Sequence, residues 1–141
     1  MTYNFFLVSD VILDFLMERE PFYVFSKDLF EKKLSGEITI CTTAAVILNV
    51  QYISQKIIGK EKSIQLIKKL VLLFNISFTS KETILKAYDS SFTDVEDAVQ
   101  YYSATADRAI DFFVTRNTKD YKHADEDLKI ITPAEAIKIL S

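Results

Sequence analysis

Carboxylates are the chemical resource of this sequence. Asp10 follows the short apolar run Phe5–Val8, and Asp14 comes four residues later, so a helix would place the two on one face. Asp94 and Asp97 stand three apart at the start of an amphipathic stretch, and Asp120 lies shortly after the run DFFVT, Asp111–Thr115. Oxygen ligands arriving from several chain segments suit a hard cation such as Mg²⁺ or Mn²⁺, which calls for converging carboxylates and amide oxygens. Other chemistries lack their parts. A phosphate-cradling loop needs clustered glycines, and Gly36 and Gly59 stand alone. Acyl transfer needs a base beside its nucleophile, but His123 is the only histidine and sits in a polar segment, where it reads as a surface residue.

Each acid also has a plain structural explanation. Thr93 with Glu96 spells a capping box, and an acid in the first turn of a helix is favoured by the helix dipole, which accounts for Asp94 and Glu96. Asp97 falls one residue beyond that box, among Val95, Ala98, Val99 and Tyr102, in a helix expected to be largely packed. Asp14 reads as well for a solvent-facing or cap-linked acid as for a ligand, and Asp120 as well for a turn residue in TRNTKDY. The functional reading rests on several acids following different strands, because ligand sites in open parallel sheets form at the carboxyl ends of the strands.

The elements that would position these acids follow from periodicity. Phe5–Val8 reads as a strand, and VILDFLM as a helix burying Val11, Ile12, Phe15 and Leu16. After Pro21 a second helix spans 23–34 and stops at Gly36. Ile38–Cys41 is a second strand, after which Thr42 or Thr43 caps a helix reaching Ile58. Ser63–Phe74 carries Ile64, Ile67, Leu70, Val71 and Phe74 on one stripe. Asn75–Thr79 reads as a strand, 80–89 and 93–108 as helices, Asp111–Thr115 as a fourth strand and Lys129–Ile131 as a fifth. Thr132, Pro133 and Glu135 open a final helix with a capping box. Asp125–Lys129 (DEDLK) reads as a solvated loop. Alternating strands and helices imply a parallel sheet covered on both faces.

The chain has 141 residues, 49% of them hydrophobic, with two glycines and two prolines, as expected for one domain spanning 1–141 with short connections. A net charge of -3 gives no global attraction to phosphates, so binding of nucleic acid calls for a local basic patch or bridging cations. One cysteine, Cys41, excludes an internal disulfide, and no run is long enough to span a bilayer. No signal peptide is read at the N-terminus, and a reducing cytoplasm is the expected location.

Three stretches then carry a resemblance. FTDVEDAVQYY (Phe92–Tyr102), FFVTRNTKDY (Phe112–Tyr121) and ITPAEAI (Ile131–Ile137) look like the C-terminal half of PIN-domain proteins, and VILDFLMEREPF (Val11–Phe22) looks like the opening of that family. The resemblance implies a three-layer α/β/α fold with a central, mainly parallel sheet of four to five strands. It also implies a Mg²⁺- or Mn²⁺-dependent endoribonuclease of the kind found as the toxin of a toxin-antitoxin pair, with RNA as substrate, an antitoxin protein as partner and a homodimer as the usual assembly. By residue, Asp97 and Asp120 would be metal ligands, Thr115 and Asn117 would line the same site, and Asn49 would stand where many members have an acid. Asp10 falls where members carry Asn or Asp, two residues after the family's first catalytic aspartate, whose place Val8 takes here. Asp10 would therefore join Asp97 and Asp120 as a catalytic and metal-binding acid, with Asp14, Asp94 and Glu96 as further lining. Arg116, with Lys119 and Lys122, would contact phosphates. The alternative implied by Val8 and Asn49 is a degenerate PIN-like module that binds RNA or protein without cutting.

Overall fold

A computed structural model describes residues 2–141. It contains β1 (Tyr3–Leu7), α1 (Ser9–Leu16), α2 (Tyr23–Leu34), β2 (Ile38–Thr42), α3 (Ala44–Ile58), α4 (Lys60–Val71) and β3 (Phe74–Ile76). There follow α5 (Lys81–Tyr88), α6 (Val95–Ala106), β4 (Phe112–Val114), a 3-10 turn at Thr118–Tyr121, β5 (Lys129–Ile131) and α7 (Pro133–Leu140). The five strands form one sheet in the order β3-β2-β1-β4-β5, and every pairing is parallel.

The sheet separates two apolar cores, which is why its strands read as near-continuous hydrophobic runs. Phe5, Leu7, Ile40 and Val114 point to one face and pack with α1, α2, α3, α4 and α7 through residues such as Ile12, Phe30, Val50, Ile67 and Ala136. Phe6, Cys41 and Phe113 point to the other, beneath Ala87 of α5 and Ala98, Tyr101 and Tyr102 of α6. The Phe6 and Phe113 rings stack at 5.3 Å between centroids, with Tyr101 and Tyr121 meeting Phe113 edge-on. The result is a three-layer α/β/α architecture, as the sequence led us to expect.

Chain direction explains how the site arises. From β1 the chain moves outward to β2 and β3 with its crossover helices on one face, then returns through α5 and α6 on the other face to pair β4 with the free edge of β1. Right-handed crossovers running in opposite directions must occupy opposite faces. The connections leaving β1 and β4 therefore diverge and open a crevice at the carboxyl ends of these two strands.

Several boundaries differ from expectation. The third strand is Phe74–Ile76, so Phe74 belongs to the sheet rather than to α4, which starts earlier, at Lys60. Ile64 is 45% exposed and leaves the buried stripe to Ser63, Ile67 and Leu70. On α1, Leu13 and Asp14 are buried together with Val11 and Ile12, while Phe15 and Leu16 pack at the margin of the core. Gly36 and Gly59 have φ of +83° and +88°, the left-handed region in which glycine ends a helix without strain. The DEDLK loop is tied down: Tyr101 Oη donates to Glu126 O at 3.0 Å, Tyr102 Oη donates to Asp125 Oδ1 at 2.7 Å, and Lys86 pairs with Glu126.

Candidate functional site

The crevice between the ends of β1 and β4 contains a small pocket of about 150 Å³. Val8, Ser9, Asp10 and Asn49 form one side, Glu96, Asp97 and Gln100 of α6 another, and Thr115, Asn117, Asp120 and Tyr121 the third. Of the acids singled out from sequence, Asp10, Glu96, Asp97 and Asp120 are thus brought together from three separate segments, with Asn49, Thr115 and Asn117 beside them.

Asp10 sits in the first turn of α1, and both segments leaving the sheet fix it. Thr115 Oγ1 donates to Asp10 Oδ2 at 2.8 Å, and Asn117 Nδ2 donates to the same oxygen at 3.2 Å. Thr115 Oγ1 in turn accepts the Asn117 backbone N–H at 3.1 Å, which folds the chain after β4 back over α1. The other oxygen, Oδ1, is buried without a hydrogen-bond partner in the protein. Burial raises the Asp10 pKa above the usual carboxylate value, against the opposing Thr115 hydrogen bond and Arg116 charge.

Asp97 is positioned by the start of α6. The cap is Asp94 rather than the expected Thr93: its Oδ1 accepts the Asp97 N–H at 3.1 Å. The Asp97 carboxyl is pushed up to about 6, first by burial and then by the negative charges of Asp94 and Asp120, although Tyr121 Oη donates to its Oδ1 at 3.4 Å. The Tyr121 hydroxyl is held above its ordinary pKa by burial and then by Asp97, Asp10 and Asp120, so all three carboxylates act on one buried phenol. Asn49 turns its amide to Ser9, with Nδ2 donating to Oγ at 3.0 Å.

Three residues are placed differently from expectation. Asp94, besides capping α6, lies in an adjoining cleft with Thr93, Lys119, Lys122 and His123, which shares Asp97 and Asp120 with the pocket. Asp14 is neither solvent-facing nor in the pocket: at 1% exposure it takes Arg19 Nε on Oδ1 and Arg116 Nε on Oδ2, both at 2.8 Å. Arg116 is correspondingly turned away from the pocket lining, with its guanidinium 4.3 Å from the centroid of the Phe22 ring. Lys119 and Lys122 line the adjoining cleft with Asp97 and Asp120. Sequence reasoning missed Ser9, Gln100 and Tyr121 altogether. Gln100 offered one signal, a polar side chain one helical turn after Asp97 on the packed face of α6.

The donor set suits an oxygen-seeking cation in an open site. Asp10 Oδ1 lacks a partner, and Asp97 lies under repulsion that a positive charge would relieve. No three Asp, Glu, His or Cys side chains among the described residues are close enough to enclose an ion. Mg²⁺ commonly retains several waters and takes only one or two carboxylates from the protein, so an open site of this kind fits it better than a closed cage would.

Comparison with known proteins agrees with this architecture. No curated protein matches the chain. Among solved structures, the chain is similar to one in VapBC2 from Rickettsia felis bound to a DNA fragment from their promoter, with a TM-score of 0.68 and 17% identity over 92% of this chain and 98% of that one. It is also similar to a chain in a toxin-antitoxin complex from Klebsiella pneumoniae, with a TM-score of 0.62 and 18% identity over 91% and 96% of the two chains. At such identities the likeness is one of fold. The sequence itself matches the family model described as PIN domain over residues 6–119, and the chain belongs to the PIN-domain family.

Proposed function

We propose that residues 1–141 act as a single PIN-like domain that hydrolyses RNA phosphodiester bonds with Mg²⁺ or Mn²⁺, as the toxin of a toxin-antitoxin pair. The observation that carries this reading is the meeting of Asp10, Asp97 and Asp120 in one pocket at the ends of β1 and β4, where parallel sheets place their ligands. The toxin-antitoxin complexes among the structural neighbours support an antitoxin protein as partner. The family resemblance supports RNA as substrate, the cytoplasm as location and a homodimer as assembly. No helix among the described residues is long and apolar enough to cross a membrane.

Asp10, Asp97 and Asp120 would hold the ion. A divalent cation held there would supply Lewis-acid stabilisation of charge on the phosphoryl oxygens and lower the pKa of bound water. Thr115 and Asn117 fix Asp10 Oδ2, and Oδ1 is buried without a hydrogen-bond partner. Tyr121 fixes Asp97 in the same way. Lys119 and Lys122, lining the adjoining cleft, would neutralise the flanking phosphates as the strand enters past Asp120. The test is an assay of the purified chain on single-stranded RNA, structured RNA and DNA with Mg²⁺, Mn²⁺ or chelator. Metal-dependent cleavage of RNA supports the reading, and RNA intact at high protein concentration overturns it.

One observation favours a second reading, a PIN-like module that binds RNA or protein without cutting. Val8 puts an isopropyl group, 6% exposed, in the pocket, at the position that the family resemblance gives to the first aspartate. A Val8→Asp variant separates the readings: cleavage gained from an inert parent supports the binding module, and cleavage by the parent itself removes it.

A further inference from the structure

Three buried side-chain atoms among the described residues have no hydrogen-bond partner in the protein: Asp10 Oδ1, Gln100 Nε2 and Ser54 Oγ. Ser54 lies outside the pocket, whereas Asp10 and Gln100 both line it. Leaving a buried polar atom unpaired is costly, so two on residues lining one small pocket point to a shared ligand.

Their polarity defines that ligand. The Asp10 carboxylate oxygen can only accept a hydrogen bond and the Gln100 amide nitrogen can only donate one. The Gln100 amide is oriented by Thr43, the N-cap of α3: Thr43 Oγ1 accepts the Val46 N–H at 3.2 Å and donates its own proton to Gln100 Oε1 at 2.6 Å. This contact occupies the oxygen end of the amide and leaves the NH₂ end without a partner. Gln100 is only 4% exposed, so the side chain is part of the built wall rather than a mobile surface group. A small molecule that donates to Asp10 and accepts from Gln100 satisfies both atoms, and the pocket, at about 150 Å³, has room for it.

We propose that Gln100 is a positioning residue which, with Asp10, holds one water molecule in the pocket, and that this water is the nucleophile of the hydrolysis. The catalytic part rests on the nuclease reading above; the water site itself does not. Thr43 belongs to the same device through its hold on the amide, so a residue at the start of α3 reaches the chemistry at the end of β1. Val8, beside the pair, contributes only an apolar wall and leaves the water to the Asp10 and Gln100 side chains.

The experiment combines crystal structures of the parent and Gln100→Met at a resolution that shows waters with their hydrolysis of a short RNA. Methionine keeps the reach of glutamine and removes the N–H; Gln100→Leu carries the same test if the methionine variant does not fold. The expected result is a water bridging Asp10 Oδ1 and Gln100 Nε2 in the parent and missing in the variant. With it we expect kcat to fall about 10- to 100-fold at unchanged KM, the size of loss that misplacement of a reacting group by about 1 Å produces. A parent without the bridging water, or a variant that keeps the parent's kcat, overturns the inference. A parent that shows the water but cuts nothing supports the water site while overturning the nuclease reading and with it the water's role as nucleophile.

Discussion

At Asp97 a carboxyl whose ordinary value is 3.8 is held up to about 6, and the sign of the consequence is definite. Between about pH 4 and pH 6 the folded chain binds the proton more tightly than the unfolded chain, so this residue's contribution falls as pH rises through that window. At neutral pH the fold carries a charged Asp97 at a cost. In chelator, Asp97→Asn should therefore stabilise the protein at pH 7 by on the order of 1 kcal/mol, discounted for partial solvent screening, with the gain gone below about pH 4. Urea unfolding at the two pH values checks this, and an equal effect at both would contradict it. At this scale the sequence was partly legible. Acids after strand ends led to Asp10, Asp97 and Asp120, which the fold brings to one pocket, but nothing in the order of residues shows that Asp14 turns inward to two arginines or that the Gln100 amide is left half-paired. Those facts depend on contacts between segments up to about a hundred positions apart, such as Asp14 with Arg116.

Elements are held by contacts that differ in their reach along the chain. The α7 capping box, Thr132 Oγ1 accepting from Glu135 N at 3.1 Å and Glu135 Oε1 accepting from Thr132 N at 2.9 Å, is local and was readable as a four-residue pattern. Thr132→Ala should cost about 1 kcal/mol in chemical denaturation. The Asp14 bridge is not local: it joins α1 to the segment after β4 through Arg116 and to the loop before α2 through Arg19. Asp14→Ala should cost about 3 kcal/mol, the low end for a broken buried ion pair, because both arginines are partly exposed and can turn to water. A loss under 1 kcal/mol in the same assay would make the bridge incidental. The order and type of the elements were legible because each strand is a β-branched or aromatic run and each helix has a stripe or a cap. The start of α4 and the extent of β3 were not, since Phe74 is equally apolar on a helix stripe and in a strand. Only pairing with Ile40 of β2 decides the matter.

On the scale of the whole molecule, one sheet divides two cores and the turn in strand order puts the acidic pocket at their common upper end. Negative charge gathered there opposes folding, so a cation bound only by the folded chain must raise its stability by mass action. Mn²⁺ at 100 times its Kd should add about 2.7 kcal/mol and raise Tm in the parent, and the rise should vanish in an Asp97→Asn and Asp120→Asn double variant. An identical shift in both proteins would place the ion elsewhere. The proposed role of Asp10 is to stand in for the first aspartate that the family resemblance assigns to the position of Val8. It is tested most directly by the rate of RNA cleavage in Mn²⁺ for the parent, for Asp10→Asn, and for the combined Val8→Asp and Asp10→Asn variant, which returns the carboxylate to its usual position. We expect Asp10→Asn to lose about 100-fold or more, as removal of a key electrostatic group does, and the combined variant to recover activity. Asp10→Asn cutting at the parent's rate would contradict the claim.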